Sequence, residues 1–321
     1  METVEVRTEK PQVKVKTQSA FIKNLIKYKA LLIMMLPCVI VLFLNAYLPL
    51  FGLSIAFKNI NYQDGVFGSP WIGLQNFKFL FATDAAWRIT RNTIGYNMVF
   101  IFLGLVLNVA VAIGLNEIRN KAWKKLYQTS VVLPNFLSMV VIAYVVYALL
   151  NTKGFVNVGL LEPLGKDAVA WYSEPKYWPY ILVFTKMWNS VGYGSIIYIA
   201  ALTAIDSQLY EAACIDGASK WQQTRYITIP SLATMMTISV TLQLGSIIKG
   251  DFGLFFQIPM MSPQLYPVTD VVDTYVYRSL TSMNDIGMSS AASFYQSIVG
   301  FVMVIIANMV VRKIDRDQAI F

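Results

Sequence analysis

The sequence predicts an all-α, polytopic membrane protein with six transmembrane helices. Three observations predict it. Hydrophobic residues make up 56% of the 321-residue chain and charged residues only 14%, against roughly 25% charge in an average soluble domain. Six apolar stretches carry no charge, or almost none, over about 20 residues, the length a bilayer-spanning helix needs. The Lys and Arg residues between those stretches are unevenly shared between the two sides, as the positive-inside rule expects of a multi-span protein.

The gaps between charges place the spans in order. No charge falls between Lys29 and Lys58, which predicts a helix near 31–51. The Arg91–Glu117 gap predicts 94–115, and the Lys125–Lys153 gap predicts 129–150. The Lys186–Asp206 gap, with the apolar run before it, predicts 179–203. The Arg225–Lys249 gap predicts 230–249, and the Asp285–Arg312 gap predicts 290–311. An even number of spans puts both termini on one side. That side carries Arg7 to Lys29, the basic 116–127 loop, Lys220, Arg225 and the C-terminal Arg312, Lys313 and Arg316. It holds most of the cations and is therefore expected to be cytoplasmic. The organisation expected is a cytoplasmic tail over 1–29, a membrane domain over 30–312 and a short cytoplasmic tail over 313–321. The first 20 residues lack an apolar segment followed by a small-residue cleavage site, so they read as a tail rather than a signal peptide.

Composition also excludes chemistry. The chain has no histidine, which removes Ser-His-Asp catalysis, His-ligated zinc and a histidine proton relay. Its two cysteines cannot build a four-thiolate zinc site, and no structural disulfide is expected between Cys38 and Cys214. The net charge of +8 is read as membrane topology, so no nucleic-acid partner is expected. There is no G-x-x-x-x-G-K-[ST] loop to cradle a nucleotide's phosphates. The chain is expected not to be an enzyme and to bind no cofactor itself.

On the outer side, 58–91, 151–178 and 250–285 are rich in aromatics, Gly, Pro or Asp. Trp and Tyr there fit an interfacial aromatic belt, or contact with a carbohydrate or a docking protein. The most informative segment is on the inner side. Residues 204–230 contain a helix start at Asp206 or Ser207, a small, partly apolar helical surface at Leu209, Ala212, Ala213 and Ala218, and a stop or bend at Gly217. Asp216 and Lys220 are spaced to pair at i, i+4. Pro230 is placed to begin the next helix, where its missing N–H matters little.

This segment resembles the EAA loop of binding-protein-dependent ABC importer permeases. Glu211-Ala212-Ala213 is followed by three residues, then Gly217, nine residues more, and Ile227-Thr228-Ile229-Pro230. Ile229 stands where the pattern has Leu. Ser69–Phe77 (SPWIGLQNF), Arg91-Asn92-Thr93, Val132-Leu133-Pro134, Trp188–Tyr193 (WNSVGY), Lys249–Phe255 (KGDFGLF) and Thr269–Tyr275 (TDVVDTY) are similar to stretches of the carbohydrate permeases of that family. The resemblance covers about 30–312. It implies a MetI-like, type I importer permease in a bacterial cytoplasmic membrane. It implies as partners a separate ABC ATPase dimer carrying ATP and Mg, a second, different permease, an extracytoplasmic solute-binding protein and a saccharide substrate, expected to be an oligosaccharide. Glu211, Ala212, Ala213, Asp216, Gly217, Ile227 and Pro230 would then form the element that docks on the ATPase.

Substrate contacts are sought among midplane polar groups of the last spans. These are Trp188, Asn189, Ser190, Tyr193, Ser195 and Tyr198 on the fourth, Gln243 and Ser246 on the fifth with Asp251 beyond it, and Gln296 and Asn308 on the sixth. Neutral amides and hydroxyls suit a sugar, and they also serve as interhelical glue. Lys186 is the one ionisable residue well inside a predicted span. It either snorkels outward or faces the pathway, where it would suit an acidic saccharide. Glycerol phosphate or a polyol derivative is the alternative substrate. A secondary carrier is disfavoured because the spans hold no Asp or Glu, and a non-transporting scaffold leaves the midplane polar groups unexplained.

Overall fold

The computed structural model describes Asn24 and residues 27–314. The basic residues from Arg7 to Lys23, and Arg316, lie outside the described residues. The chain divides into two units between Ser54 and Ile55. In the first, helix α1 (Lys29–Leu42) runs on through a π turn (Phe43–Tyr47) into a 3-10 stretch beginning at Leu48. None of the side chains of Lys29–Leu42 is buried, as expected where lipid is the solvent for an apolar surface.

The second unit is built on α2 (Ala85–Glu117) and α5 (Trp178–Thr203), the most extensively paired helices among the described residues. Around them lie α3 (Lys121–Val132), α4 (Met139–Leu150), α6 (Ser207–Ile215), α7 (Lys220–Leu244), α8 (Phe252–Gln257), α9 (Val272–Thr281) and α10 (Ile286–Ile314). Among the described residues there is no strand; one isolated antiparallel bridge joins Lys58 and Trp71. The second, fourth and sixth expected spans fall within α2, α5 and α10.

Two expectations are corrected. The third span is not one straight helix. α3 ends in a 3-10 turn at Leu133–Phe136, and the two halves of the span meet at 96°. Pro134 supplies no N–H, Leu137 and Ser138 are extended, and the Ser138 hydroxyl caps α4 by accepting from Val141 N at 3.3 Å. Charge gaps carry no information about a proline in an apolar run. The fifth span also begins earlier than 230. A capping box at Ser219 and Gln222 starts α7 at Lys220, so Pro230 lies inside the helix. A π turn at Thr224–Thr228 ends just before Ile229, the residue that precedes the proline. That wider turn accommodates a position with no N–H to return to the ladder.

Packing at the α5 crossing is close. A Cβ on Gly192 would run into the Val131 backbone carbonyl, so only glycine lets α5 approach α3 here. A core of Tyr96, Phe100, Trp178, Leu182, Leu254 and Phe255 ties α2, α5 and α8 together. A second, of Val109, Ala112, Tyr198, Leu202 and Leu232, joins α2, α5 and α7.

The start of α2 is fastened to the 263–274 segment by polar bonds. Asn92 Nδ2 donates to the Asp270 carbonyl at 3.0 Å, Val272 N donates to Thr93 Oγ1 at 3.0 Å, and Arg91 Nη2 donates to the Pro267 carbonyl at 3.0 Å. The Asp270 carboxylate is fully buried and takes both Arg278 and Arg88. Burial works against the Arg278 charge, but the hydrogen bond and charge of Asp270 outweigh it and raise the guanidinium above its ordinary value. Desolvation raises the nearby Tyr275 phenol.

Candidate functional site

Two places bring the sequence-predicted residues together. The first is the 204–230 loop. Asp206 caps α6 by accepting from Gln208 N at 2.9 Å. The helix ends at Gly217, whose φ of +77° is left-handed and suits a residue without Cβ. Ala218 N returns to the Ala213 carbonyl at 2.8 Å, a Schellman-type closure. The short helix is pinned to α7 by Tyr210 Oη and Thr228 Oγ1, 2.9 Å apart, and by Gln223 Nε2, which donates to Cys214 Sγ at 3.2 Å and to the Ala218 carbonyl at 3.1 Å.

Glu211, Ala212, Asp216, Gly217 and Pro230 are exposed, while Ala213 and Ile227 are half-buried. Ile215 is 87% exposed. Glu211 makes no hydrogen bond or ion pair among the described residues. The expected Asp216–Lys220 pair does not form, because Gly217 separates them onto different helices. Lys220 instead reaches Glu117 at 3.4 Å, across to the end of α2.

The second place is a polar cavity of about 300 Å³ between α2, α5 and α7. Lys186, Ser190, Tyr193, Tyr198 and Gln243 line it, joined by Asn108, Asn135 and Ser239. Asn108 Oδ1 is buried there without a hydrogen-bond partner among the described residues. Lys186 lies eight residues into α5, about 12 Å along its axis at 1.5 Å per residue. It does not snorkel alone: its Nζ donates to Asp251 Oδ2 at 2.7 Å.

Other predicted residues go elsewhere. Asn189 is buried and donates to the Pro134 carbonyl at 2.8 Å, holding the break in the third span. Ser195 Oγ donates to the Gly192 carbonyl and Ser246 Oγ to the Gln243 carbonyl. Gln296 Nε2 donates to the Ile248 carbonyl at 3.1 Å and to Asp273 Oδ2 at 3.2 Å. Asn308 is buried in α10. Trp188 lines a larger groove, about 440 Å³, between α4 and α5 with Val145, Leu149 and Phe184. That groove is apolar and offers little to hold a polar ligand. Asn108 and Asn135 stand in the second and third apolar stretches, outside the last spans in which substrate contacts are expected, and Ser239 is a small hydroxyl in the fifth. Among the described residues no cluster of three His, Cys, Asp or Glu side chains is placed to hold a metal ion.

Comparison with known proteins fits this architecture. The chain is 29% identical over 294 residues to the polygalacturonan/rhamnogalacturonan transport system permease protein YteP of Bacillus subtilis (strain 168), covering 92% of this chain and 91% of that protein. It is 27% identical over 318 residues to Protein LplB of the same organism, covering 99% of each. A chain of a bacterial ABC transporter involved in the import of the acidic polysaccharide alginate superposes with a TM-score of 0.83 at 30% identity, over 92% of this chain and 99% of that one. A second structure of the alginate transporter, in complex with an alginate pentasaccharide-bound periplasmic protein, gives a TM-score of 0.81 at 30% identity, over 91% and 97%. The profile of the family described as "binding-protein-dependent transport system inner membrane component" matches residues 101–316. With its helical fold, its 204–230 loop and this match over most of its length, the chain belongs to that family of MetI-like importer permeases.

Proposed function

We propose that this chain is the membrane-spanning permease of an ATP-driven importer that carries a saccharide, in the form of an oligosaccharide, into the cell. The observation that carries the proposal is the cavity of amides and hydroxyls between α2, α5 and α7 in a chain of this family. Its size is at the lower end of the roughly 300–1,000 Å³ usual for small-molecule pockets. Its donors and acceptors match sugar hydroxyls, and Asn108 Oδ1 is an acceptor ready for such a donor. The relatives named above for polygalacturonan and alginate support the same substrate class.

Energy comes from a separate ATPase dimer that binds ATP and Mg. The exposed α6, with Glu211 and Ala212 outward and Gly217 setting its end, is the docking element. Closure of the ATPases moves α6, and through Tyr210 and Gln223 it moves α7, one wall of the cavity. ATP biases the cavity's access only through its different affinity for the two states. A second permease supplies the other half of the pathway, and an extracytoplasmic binding protein delivers the saccharide. Both termini lie in the cytoplasm of a bacterial cell.

The test is purification of the tagged chain from mild detergent with identification of what accompanies it. Co-purification of an ATP-binding subunit and a second permease, with the ATPase lost in Glu211→Ala, supports the proposal. A folded chain that brings no ATPase under complex-preserving conditions overturns it.

A further inference from the structure

Among the described residues, Lys186 is the one charged residue lining the polar cavity, and Asp251 neutralises it. The two side chains are each 26% exposed, with 2.7 Å between Nζ and Oδ2. An ammonium has three donors, and among the described residues only Asp251 accepts from this one. The two oxygens of Asp251 do different work. Oδ2 holds Lys186, while Oδ1 accepts from Leu254 N at 3.1 Å and caps α8. Breaking the ion pair therefore leaves the cap in place.

We infer that Lys186 and Asp251 form an exchangeable pair, in which the carboxylate of an acidic saccharide replaces Asp251 on Lys186, so that the importer selects uronate-containing oligosaccharides over neutral ones. The inference rests on the saccharide reading above. An empty cavity with a bare cation would carry an uncompensated, half-buried charge. Asp251 removes that penalty until substrate arrives. A carboxylate entering the cavity is an equivalent partner for the ammonium, so the exchange keeps one anion on one cation. The released Asp251 remains partly exposed and hydrated. A neutral sugar offers nothing to replace Asp251 and engages only the amides and hydroxyls. Lys186 is thus the specificity-determining residue, and Asp251 is its internal competitor.

The two members of such a pair respond in opposite directions. Lys186→Gln removes the site for the carboxylate. Asp251→Asn keeps a side-chain oxygen for the α8 cap but removes the competitor. A purely structural pair predicts that both variants lose function alike.

The experiment uses cells that carry the complete importer, with the chromosomal copy of this chain replaced by each variant. Uptake is measured with labelled trigalacturonate and trimannuronate, each beside its carboxyl-reduced, neutral form, and the level of the chain in the membrane is checked in parallel. The expected result is chain-dependent uptake that prefers an acidic form. In Lys186→Gln that preference falls by at least about tenfold, the scale expected when one partner of a partly desolvated charge pair is lost. In Asp251→Asn it holds or rises, with a lower apparent KM for the acidic form. Chain-dependent uptake confined to neutral forms overturns the inference and leaves the importer reading standing. So does equal loss of acidic and neutral uptake in both variants at normal membrane level. Chain-dependent uptake of no saccharide overturns both.

Discussion

The Arg278 guanidinium grips the Asp270 carboxylate with two parallel bonds, 2.9 Å from Nη1 to Oδ1 and 2.8 Å from Nη2 to Oδ2. Neither group has appreciable access to solvent, and Arg88 adds a third contact at 3.2 Å. Removing one partner of a buried pair leaves the other charge uncompensated, which typically destabilises by about 3–5 kcal/mol. Arg278→Ala is expected toward the lower end, because Arg88 remains on Asp270. Asp270→Ala is expected at the upper end, because it strands two cations. Thermal unfolding of the purified complex checks the order, and equal midpoints for the two variants would contradict it.

Gly192→Ala is expected to destabilise the α3–α5 crossing. The new methyl would collide with the Val131 backbone, which cannot rotate away as a side chain can. Overpacking of this kind costs about 1–3 kcal/mol. The expected readout is a lowered unfolding midpoint and less chain in the membrane, and an unchanged midpoint would contradict it.

Gly217→Ala is expected to loosen α6 without unfolding the membrane domain. A left-handed backbone costs a residue with Cβ about 1–2 kcal/mol. Asn tolerates that region better, so Gly217→Asn is expected to retain more ATPase association than Gly217→Ala. Pull-down of the ATPase by each variant tests the order.

Alkaline pH is expected to weaken the fold through Tyr172. Burial, and then the neighbouring Tyr147, raise its phenol above the ordinary value. Between the unfolded value of about 10 and the higher folded one, the unfolded state sheds a proton that the folded state keeps. Stability is therefore full below about pH 10 and falls as pH rises through that window. Tyr172→Phe removes this contribution, so its unfolding midpoint is expected to fall less steeply between about pH 9 and pH 11. Parallel pH profiles for the variant and the native protein would refute this.

The apolar stretches were legible because the membrane imposes a one-dimensional rule on charge, and the expected spans fall inside α2, α5 and α10, although α2 starts earlier, at Ala85, and carries Arg88 and Arg91 in its first turns. What breaks a span follows a different rule. Pro134 and the Ser219–Gln222 capping box stand openly in the sequence, yet hydropathy does not register them. The cavity was half legible. Ser190, Tyr193, Tyr198 and Gln243 announce themselves as polar groups in apolar helices, and Asn108 could have been found the same way. The Lys186–Asp251 contact could not. Its partners are 65 residues apart, and only the packing of α8 against α5 brings them within reach.

The 96° corner at Leu133–Ser138 changes what the third span can transmit. A straight rod passes an axial push from one end to the other. A rod bent nearly square turns that push sideways, into whatever braces the elbow. Here the brace is α5, through Asn189 on the Pro134 carbonyl and through the bare Gly192 backbone against Val131. Asn135 sits in the elbow and also lines the cavity wall. A displacement of α3 is thus directed laterally into α5, beside the polar cavity, and reaches α4 only through the core in which Ile142 and Ala143 pack with Leu182.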